Sequence, residues 1–294
     1  MSTATEPLLL QLRMLGDLTR MRLVALCREG ECSVSELTAV IGQSQPRISQ
    51  QLKQLCGAGL LQRFRDGKQV FYRVPGRSSG ASRQTLQLVP VDDPLFMADR
   101  ARLHRLRGAG LEHDGEGAQH SVDRALHRAL IQLTVTAPVG ALLDIGCGRG
   151  HILRLLASRA HRAVGVDIDA GARRLARAEL MLAGVPNCSL RQGDMYRLPF
   201  ADGEFDTVVL DDVLAAAQRP VAVLQEARRL LNGGGRLLVL LAVAAESATA
   251  LQKSVAEWCA GAGLRLAPAR LTPKQKPRWL LAVATAADRS SVAA

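Results

Sequence analysis

The stretch Ala141-Leu-Leu-Asp-Ile-Gly-Cys-Gly-Arg-Gly150 constrains the possible folds of this chain more than any other. Its apolar residues, broken by a single acid, read as a buried strand. Glycines at 146, 148 and 150 then permit a turn in which the backbone comes close to a ligand. Asp144 falls at the carboxyl end of that strand, and the apolar spacing after Gly150 predicts a helix from His151 to Ser158.

A Gly-x-Gly-x-Gly turn alone is a weak signal, but the residues beyond it repeat the strand and helix alternation. Arg162 to Asp167 reads as a second strand. It ends about twenty residues past the first glycine in an acid able to accept from both hydroxyls of a ribose. A helix over Ala170 to Ala183, a strand over Ser189 to Gln192 and the acidic turn Gly193-Asp194-Met195 come next. A strand from Phe205 to Leu210 with Asp206, a helix from Pro220 to Leu231, Asn232-Gly-Gly-Gly235 and a strand from Arg236 to Leu241 continue the series. The pattern predicts an α/β Rossmann-like domain with a parallel, doubly wound sheet. Its glycine spacing differs from the Gly-x-Gly-x-x-Gly of dinucleotide enzymes, whose geometry serves a pyrophosphate.

The first seventy-five residues carry a different pattern. Leu8 to Leu15 and Met21 to Cys27 have helical spacing, with a turn at Asp17 to Thr19. Ser33-Val-Ser-Glu36 is a capping box opening a helix over Val34 to Ile41, which Gly42 ends. After a turn, Ser44-Gln-Pro-Arg-Ile-Ser-Gln-Gln-Leu-Lys-Gln-Leu55 turns Ile48, Leu52 and Leu55 inward and Arg47, Gln50, Gln51 and Gln54 outward. A short helix, a turn and a helix with an Arg and Gln face form a helix-turn-helix, whose outward side chains suit base edges and phosphates. Gly57 and Gly59 stop this helix. From Leu60 to Val74 polar and apolar residues alternate around Asp66-Gly67, a hairpin dipeptide, so this segment reads as a wing that projects Arg63, Arg65 and Lys68.

Composition agrees with two domains. A length of 294 residues accommodates about two domains of ~100 to 200 residues. The net charge of +11 favours an acidic partner, and from Ser44 to Pro75 six basic residues stand against Asp66 alone. The apolar run near the start is too short for a signal peptide, and Leu237 to Ala245 is too short to span a bilayer, so a soluble, cytoplasmic protein with no membrane partner is expected. Six scattered cysteines without Cys-x-x-Cys spacing argue against a disulfide framework or a zinc ribbon. The expected organisation is a DNA-binding domain over 1–76, a linker with bracing helices over 77–135, and a ligand-binding domain over 136–288. Pro75 to Asp93 reads as an irregular linker. Helical spacing returns over Pro94 to Leu106, breaks over Gly108 to Gly117, and resumes over Ser121 to Leu133, these helices bracing the second domain.

On these residues Glu6 to Val74 resembles the ArsR/SmtB family of bacterial repressors. The resemblance rests on Ser44-Gln-Pro-x-Ile-Ser-x-x-Leu-Lys-x-Leu55, Ala58-Gly-Leu60 and Asp66-Gly-Lys-x-Val-Phe-Tyr-Arg-Val74. It implies a winged helix-turn-helix, a homodimer, and a double-stranded DNA operator read by Ser44, Gln45, Arg47, Gln50, Gln51, Lys53, Gln54, Arg63, Arg65 and Lys68. The family's Cys-x-Cys metal pair is replaced by Ser33 and Ser35, and all six histidines lie beyond position 100, so no metal is expected.

Val139 to Ala287 resembles the class I methyltransferases that use S-adenosylmethionine (SAM), through the glycine turn, Asp194-Met195 and Arg229-Leu-Leu-Asn-Gly-Gly-Gly-Arg236. The resemblance implies SAM or its product S-adenosylhomocysteine (SAH) as cofactor. Gly146, Gly148 and Gly150 would line the methionine portion, with Asp144 orienting the loop or the ligand's ammonium. Asp167 would bind the ribose, Ile168 would pack on adenine, and Asp194 beside Met195 would hold the adenine amino group. Catalytic residues are unknown. Asp211 and Asp212 stand where related fusions carry a histidine near the acceptor. Gly-Gly-Gly replaces the usual Pro-Gly-Gly, and aromatic residues make up only 3% of the chain. Two functions remain open: a regulator that senses SAM or SAH, and a methyltransferase of a small-molecule acceptor that also regulates its operon. Direct DNA methylation is disfavoured, because Leu210-Asp-Asp-Val213 lacks an Asn/Asp-Pro-Pro-aromatic motif.

Overall fold

The computed structural model describes residues 5–66, 69–75, 80–90, 92–113, 124–243, 247–272 and 278–286. They form two compact units, residues 1–117 with 177–189 and residues 118–176 with 190–294.

In the first unit, α1 (Thr5–Leu15), α2 (Leu18–Arg28) and the short β1 (Cys32–Ser33) lead into α3 (Val34–Ile41) and α4 (Gln45–Gly57). The hairpin of β2 (Gln62–Asp66) and β3 (Gln69–Arg73) follows, then α5 (Gly80–Gln87) and α6 (Pro94–His113). The Asp17 side chain caps α2 by accepting from the Arg20 amide at 2.9 Å. The capping box forms in full, with the Ser33 amide donating to Glu36 Oε2 at 2.7 Å and the Glu36 amide to Ser33 Oγ at 3.2 Å. Gly42 closes α3 at φ 75°, a left-handed conformation that glycine adopts without strain. Leu23, Leu37, Ile48, Leu52 and Leu55 are fully buried, so the inward stripe read from α4 packs a core with α2 and α3. Replacing Ser33 by alanine is expected to lower this unit's stability by about 1 kcal/mol, read as a shifted denaturant midpoint with an unchanged slope.

Three features depart from the sequence reading. The stretch read as a linker contains α5, held by Gln11, whose Nε2 donates to Ser82 Oγ at 2.8 Å. α6 continues through Gly108 and Gly110 to His113; residues 114–117, also read as part of the break, lie outside the described residues. Expected to brace the second domain, α6 instead closes the first unit against α2 and α3, where Arg22 forks onto Asp99 at 2.6 and 2.7 Å and Arg107 Nε reaches Glu36 Oε1 at 2.7 Å. Phe96 and Leu103 of α6 bury into the same core as Leu23 and Leu37, and the polar contacts beside them are ones that an apolar periodicity does not register.

The second unit holds α7 (Arg124–Thr136), β4 (Gly140–Ile145), α8 (His151–Ala157), β5 (Ala160–Asp167), α9 (Ala170–Leu182, up to residue 176), β6 (Cys188–Gln192, from residue 190) and β7 (Phe205–Asp211). After these come α10 (Val213–Ala216), α11 (Pro220–Leu230), β8 (Leu231–Ala242), α12 (Ala248–Gly261), β9 (Leu264–Leu266), β10 (Arg270–Thr272) and β11 (Trp279–Ala286). Strand order is β10-β11-β8-β7-β4-β5-β6, with β9 also on β11. β4 pairs in parallel with β5 and β7, and β7 with β8, as expected. The sheet as a whole is mixed, because β11 runs antiparallel to β8, and β9 and β10 antiparallel to β11. β8 begins at Leu231, so Asn232-Gly-Gly-Gly235 is an irregular start to a strand and not a loop before one. Strand alternation puts Leu143, Ile145, Val208, Leu210, Val239 and Leu241 into one core with α11 and α12.

Candidate ligand site and nucleic-acid interface

The carboxyl ends of β4, β5 and β7 meet at the glycine turn. After β4 the chain turns sharply: the amides of Gly146 and Cys147 both donate to the Val166 carbonyl, at 2.7 and 3.0 Å. Gly146, Gly148 and Gly150 have φ of 72°, 49° and 77°, each in the left-handed region. A side chain at Gly148 would meet no atom within 4 Å, so the turn borders open space. Asp167 ends β5, and its two carboxylate oxygens accept from the amides of Gly148 and Asp169, both at 2.8 Å. This single side chain therefore ties the glycine turn to the loop after β5. Ile168, the next residue, is 71% exposed, an unusual state for a large aliphatic side chain beside a turn of this kind. Asp194 is exposed and accepts from the Tyr196 amide at 3.0 Å, with Met195 half-buried beside it.

Asp144 is buried at 1% exposure, and neither carboxyl oxygen has a hydrogen-bond partner of normal geometry. Burial pushes this carboxyl well above the usual carboxylate range, the Asp211 and Asp167 carboxylates push it further, and the Leu153 amide opposes them. The Cys147 thiol is likewise pushed well up by burial, with Asp144 and Asp167 adding, which fits a packed side chain and not a nucleophile. Asp211 lies at the end of β7. Asp212 has φ 56°; its amide donates to the Leu240 carbonyl at 2.8 Å and its Oδ1 accepts from the Ala242 amide at 3.1 Å. Asp206 accepts from the Ala141 amide at 2.6 Å and from Asn232, so it is a structural carboxylate.

These residues fit an adenosyl ligand. The carboxylate Asp167 at the end of β5, the exposed Ile168 next to it, the exposed acid Asp194 after β6 and a side-chain-free turn supply acceptors for hydroxyls and amines, and an apolar surface for a base.

In the first unit, Ser44, Gln45, Arg47, Gln50, Lys53 and Gln54 are exposed along α4, and Arg63 and Arg65 along β2. Lys68 lies outside the described residues. Ser44 makes no side-chain cap bond, which leaves its hydroxyl available at the start of the helix. Gln51 is half-buried, and an unforeseen residue engages it: Arg20 Nη1 donates to Gln51 Oε1 at 3.1 Å and to Gln54 Oε1 at 3.4 Å, while its Nε donates to the Met14 carbonyl at 2.6 Å. Arg20 orients the two glutamines and adds a cation to the face. No sequence signal marked it, since an arginine inside a helical stretch reads as solvated. In the wing, Phe64 and Phe71 stack across the strands at 5.8 Å, and Arg73 lies 5.5 Å over Phe64, which fixes the hairpin carrying Arg63 and Arg65. Among the described residues no group of three or more His, Cys, Asp or Glu could hold a metal ion, and no helix is long and apolar enough to cross a membrane.

Residues 17–63 match the arsR family of bacterial regulatory proteins, and residues 143–239 match the methyltransferase domain family. Among curated proteins, a ubiquinone/menaquinone biosynthesis C-methyltransferase of Ectopseudomonas mendocina is 34% identical over 121 residues, covering 40% of this chain and 47% of that protein. Nocamycin O-methyltransferase of Saccharothrix syringae is 35% identical over 117 residues, 39% of this chain and 42% of that protein. An uncharacterized protein of a Streptomyces fradiae transposon is 33% identical over 119 residues, 40% of this chain and 34% of that protein. The chain thus spans between a third and a half of the length of these relatives. A crystal structure of a SAM-dependent methyltransferase from Clostridium acetobutylicum matches with a TM-score of 0.50 at 10% identity, covering 62% of this chain and all of that one, a likeness of fold.

Proposed function

Because this chain joins a helix-turn-helix domain of the arsR family to a methyltransferase domain, we propose that it is a transcriptional regulator whose second domain binds SAM or SAH and thereby sets its affinity for operator DNA. DNA binding is assigned to 1–76, ligand binding to 136–288, and 77–135 joins them. The exposed face of α4 would enter a major groove, with Arg47, Lys53, Arg63 and Arg65 on phosphates or base edges and Gln50 and Gln54 on bases. The exposed leucines 9, 10 and 12 of α1 support a homodimer, since three uncovered leucines within one turn of a helix are costly in water.

In the ligand domain, Asp167 would hold the ribose, Ile168 the adenine face, Asp194 and the Met195 backbone the adenine edge, and the three glycines with Asp144 the methionine portion. SAM supplies an electrophilic methyl group, so transfer requires chiefly that an acceptor be held in line with it. The observation favouring sensing over transfer is Asp212: both its amide and its carboxylate are committed to the β8 backbone, which makes it a structural tie and not a group aimed at an acceptor. The second reading, an active methyltransferase of a small molecule, draws on the C- and O-methyltransferases among the relatives and retains Asp211 as its acceptor-side residue.

Mobility-shift titration with DNA from upstream of the gene, with and without saturating SAM or SAH, tests the proposal. A ligand-dependent change of about 5- to 150-fold in DNA affinity is expected. Unchanged affinity at saturating ligand overturns ligand control, and multiple turnovers of labelled methyl into a cell extract overturn sensing without transfer.

A further inference from the structure

The helix α9 runs unbroken from Ala170 to Leu182, with its residues up to 176 in the second unit and those from 177 on in the first. Residues 173, 177 and 181 fall on one face of it. Arg173, 3% exposed, donates from Nη1 to the Asp167 carbonyl at 2.9 Å, so the first turns of α9 are fastened to the residue proposed for the ribose. One turn on, Arg177 reaches the wing. Its Nη2 donates to Asp66 Oδ2 at 2.5 Å, its Nε donates to Glu31 Oε2 at 3.3 Å, and its guanidinium lies 3.9 Å over the Phe71 ring. After a further turn, Met181 is 3% exposed in the core of the first unit, with Arg107 Nη1 donating to its sulfur at 2.7 Å.

The Arg177 cluster is enclosed, with Glu31 and Asp66 at 5% and 6% exposure and the arginine side chain at 9%. Asp66 ends β2, directly after the exposed Arg65, and Phe71 lies on β3. Glu31 precedes β1, whose Cys32 pairs with Tyr72 of β3. One guanidinium therefore spans the tip of the hairpin and the strand at its side. Packing alone does not call for this, since apolar residues of similar volume stabilise a core as well as buried ions do. A planar fork held by two carboxylates and a ring does what an apolar side chain cannot: it fixes one geometry of the hairpin.

We propose that α9 carries the ligand signal to the wing, with Arg177 as the positioning residue that sets the angle of the hairpin bearing Arg63 and Arg65. The inference rests on the reading of this chain as a ligand-controlled regulator and names the device that does the controlling. The Asp167 carboxylate accepts from the Gly148 and Asp169 amides, and ribose hydroxyls compete for the same oxygens. Their arrival resets Asp169, whose Oδ1 accepts from the Gly171 amide at 2.7 Å and whose carbonyl accepts from the Arg173 amide at 3.2 Å. The start of α9 moves with it. Arg173 and Arg177 are about 6 Å apart along a stiff helix, so the shift reaches the wing undiminished. A buried fork of N–H donors tolerates little displacement: Arg177 either keeps both acids or gives them up, and these are the two states that the ligand biases.

Arg177→Met in the full chain, which keeps volume and helix propensity and removes the fork, tests this by mobility-shift titration of the upstream DNA with and without saturating SAM or SAH. The ligand effect on DNA affinity is expected to fall from the native 5- to 150-fold to below about twofold, while calorimetry finds both ligands bound within about threefold of native affinity. Salt dependence supplies a readout that a merely structural role does not move. In the native protein, ligand changes the slope of log affinity against log salt by about two, one for each wing arginine engaged or released; in Arg177→Met the slope is the same with and without ligand. Should that variant not fold, Asp66→Asn, which keeps shape and removes the wing carboxylate, is expected to reduce the ligand effect at least about threefold with ligand affinity retained. An undiminished ligand effect in folded Arg177→Met, or in Asp66→Asn in its place, overturns the proposal. Native DNA affinity that ignores saturating ligand overturns the regulator reading itself, an outcome distinct from ligand control that survives the loss of Arg177.

Discussion

Asp167→Ala is expected to weaken SAM and SAH binding alike by about 100-fold or more. The carboxylate would hold two ribose hydroxyls, and charge-assisted hydrogen bonds of this kind contribute about 1.5–3 kcal/mol each. Removing it also frees the amides of Gly148 and Asp169, both of which it accepts at 2.8 Å, so the glycine turn loses its tie to the loop after β5. Because Asp167 is partly exposed and sits at a strand end, the fold survives the substitution. Calorimetry on Asp167→Ala separates the outcomes. Native-like affinity in a folded variant would remove Asp167 from the site, whereas equal loss for both ligands places it on the adenosyl part that they share.

The second large effect concerns stability. Asp99→Ala is expected to destabilise the first unit by about 3–5 kcal/mol, the cost of removing one partner of a buried ion pair. Asp99 is 1% exposed and accepts both Nε and Nη2 of Arg22, and Arg102 adds a contact at 3.8 Å. The hydrogen bonds to Asp99 raise the Arg22 pKa above its ordinary value, so the guanidinium stays charged. Alanine leaves Arg22 charged and largely enclosed, with nothing opposite it, and releases α6 from α2. Denaturant unfolding followed by circular dichroism measures the loss. A double replacement, Arg22→Met with Asp99→Leu, is expected to recover most of it, because two apolar groups of similar volume leave no charge uncompensated. A loss below about 1 kcal/mol in Asp99→Ala would mean that water reaches Arg22 and the pair is worth no more than a surface contact.

Much of this protein was legible in its residues because the signals were local. Ser33 and Glu36 form a capping box within one turn, Gly42 takes the left-handed φ that ends α3, and Gly146, Gly148 and Gly150 form the turn read from their spacing, each in the left-handed region. Apolar runs such as Leu142 to Ile145 are buried on both faces of a sheet, so their parallel pairing with β5 and β7 followed from composition. The candidate ligand residues were read in the same way, since Asp167 ends a strand, Ile168 follows it and Asp194 lies two residues past the end of another.

The sequence by itself thus determined two kinds of domain, the outward polar stripe of α4 and the glycine turn, all set by interactions between residues within a few positions of each other. Only the tertiary structure decided what depends on partners far along the chain. Arg20 reaches Gln51 across 31 residues, Asp99 holds Arg22 across 77, and Arg107, next to Gly108 in α6, reaches Glu36 across 71. β11 lies antiparallel on β8, although nothing in its apolar pattern gives a direction. The same holds for Asp144 and Asp212: one is enclosed without a hydrogen bond of normal geometry, and the other accepts from the Ala242 amide. Burial and hydrogen bonding are properties of the assembled surroundings, so two aspartates that look alike in sequence acquire opposite chemistry only when the strands come together.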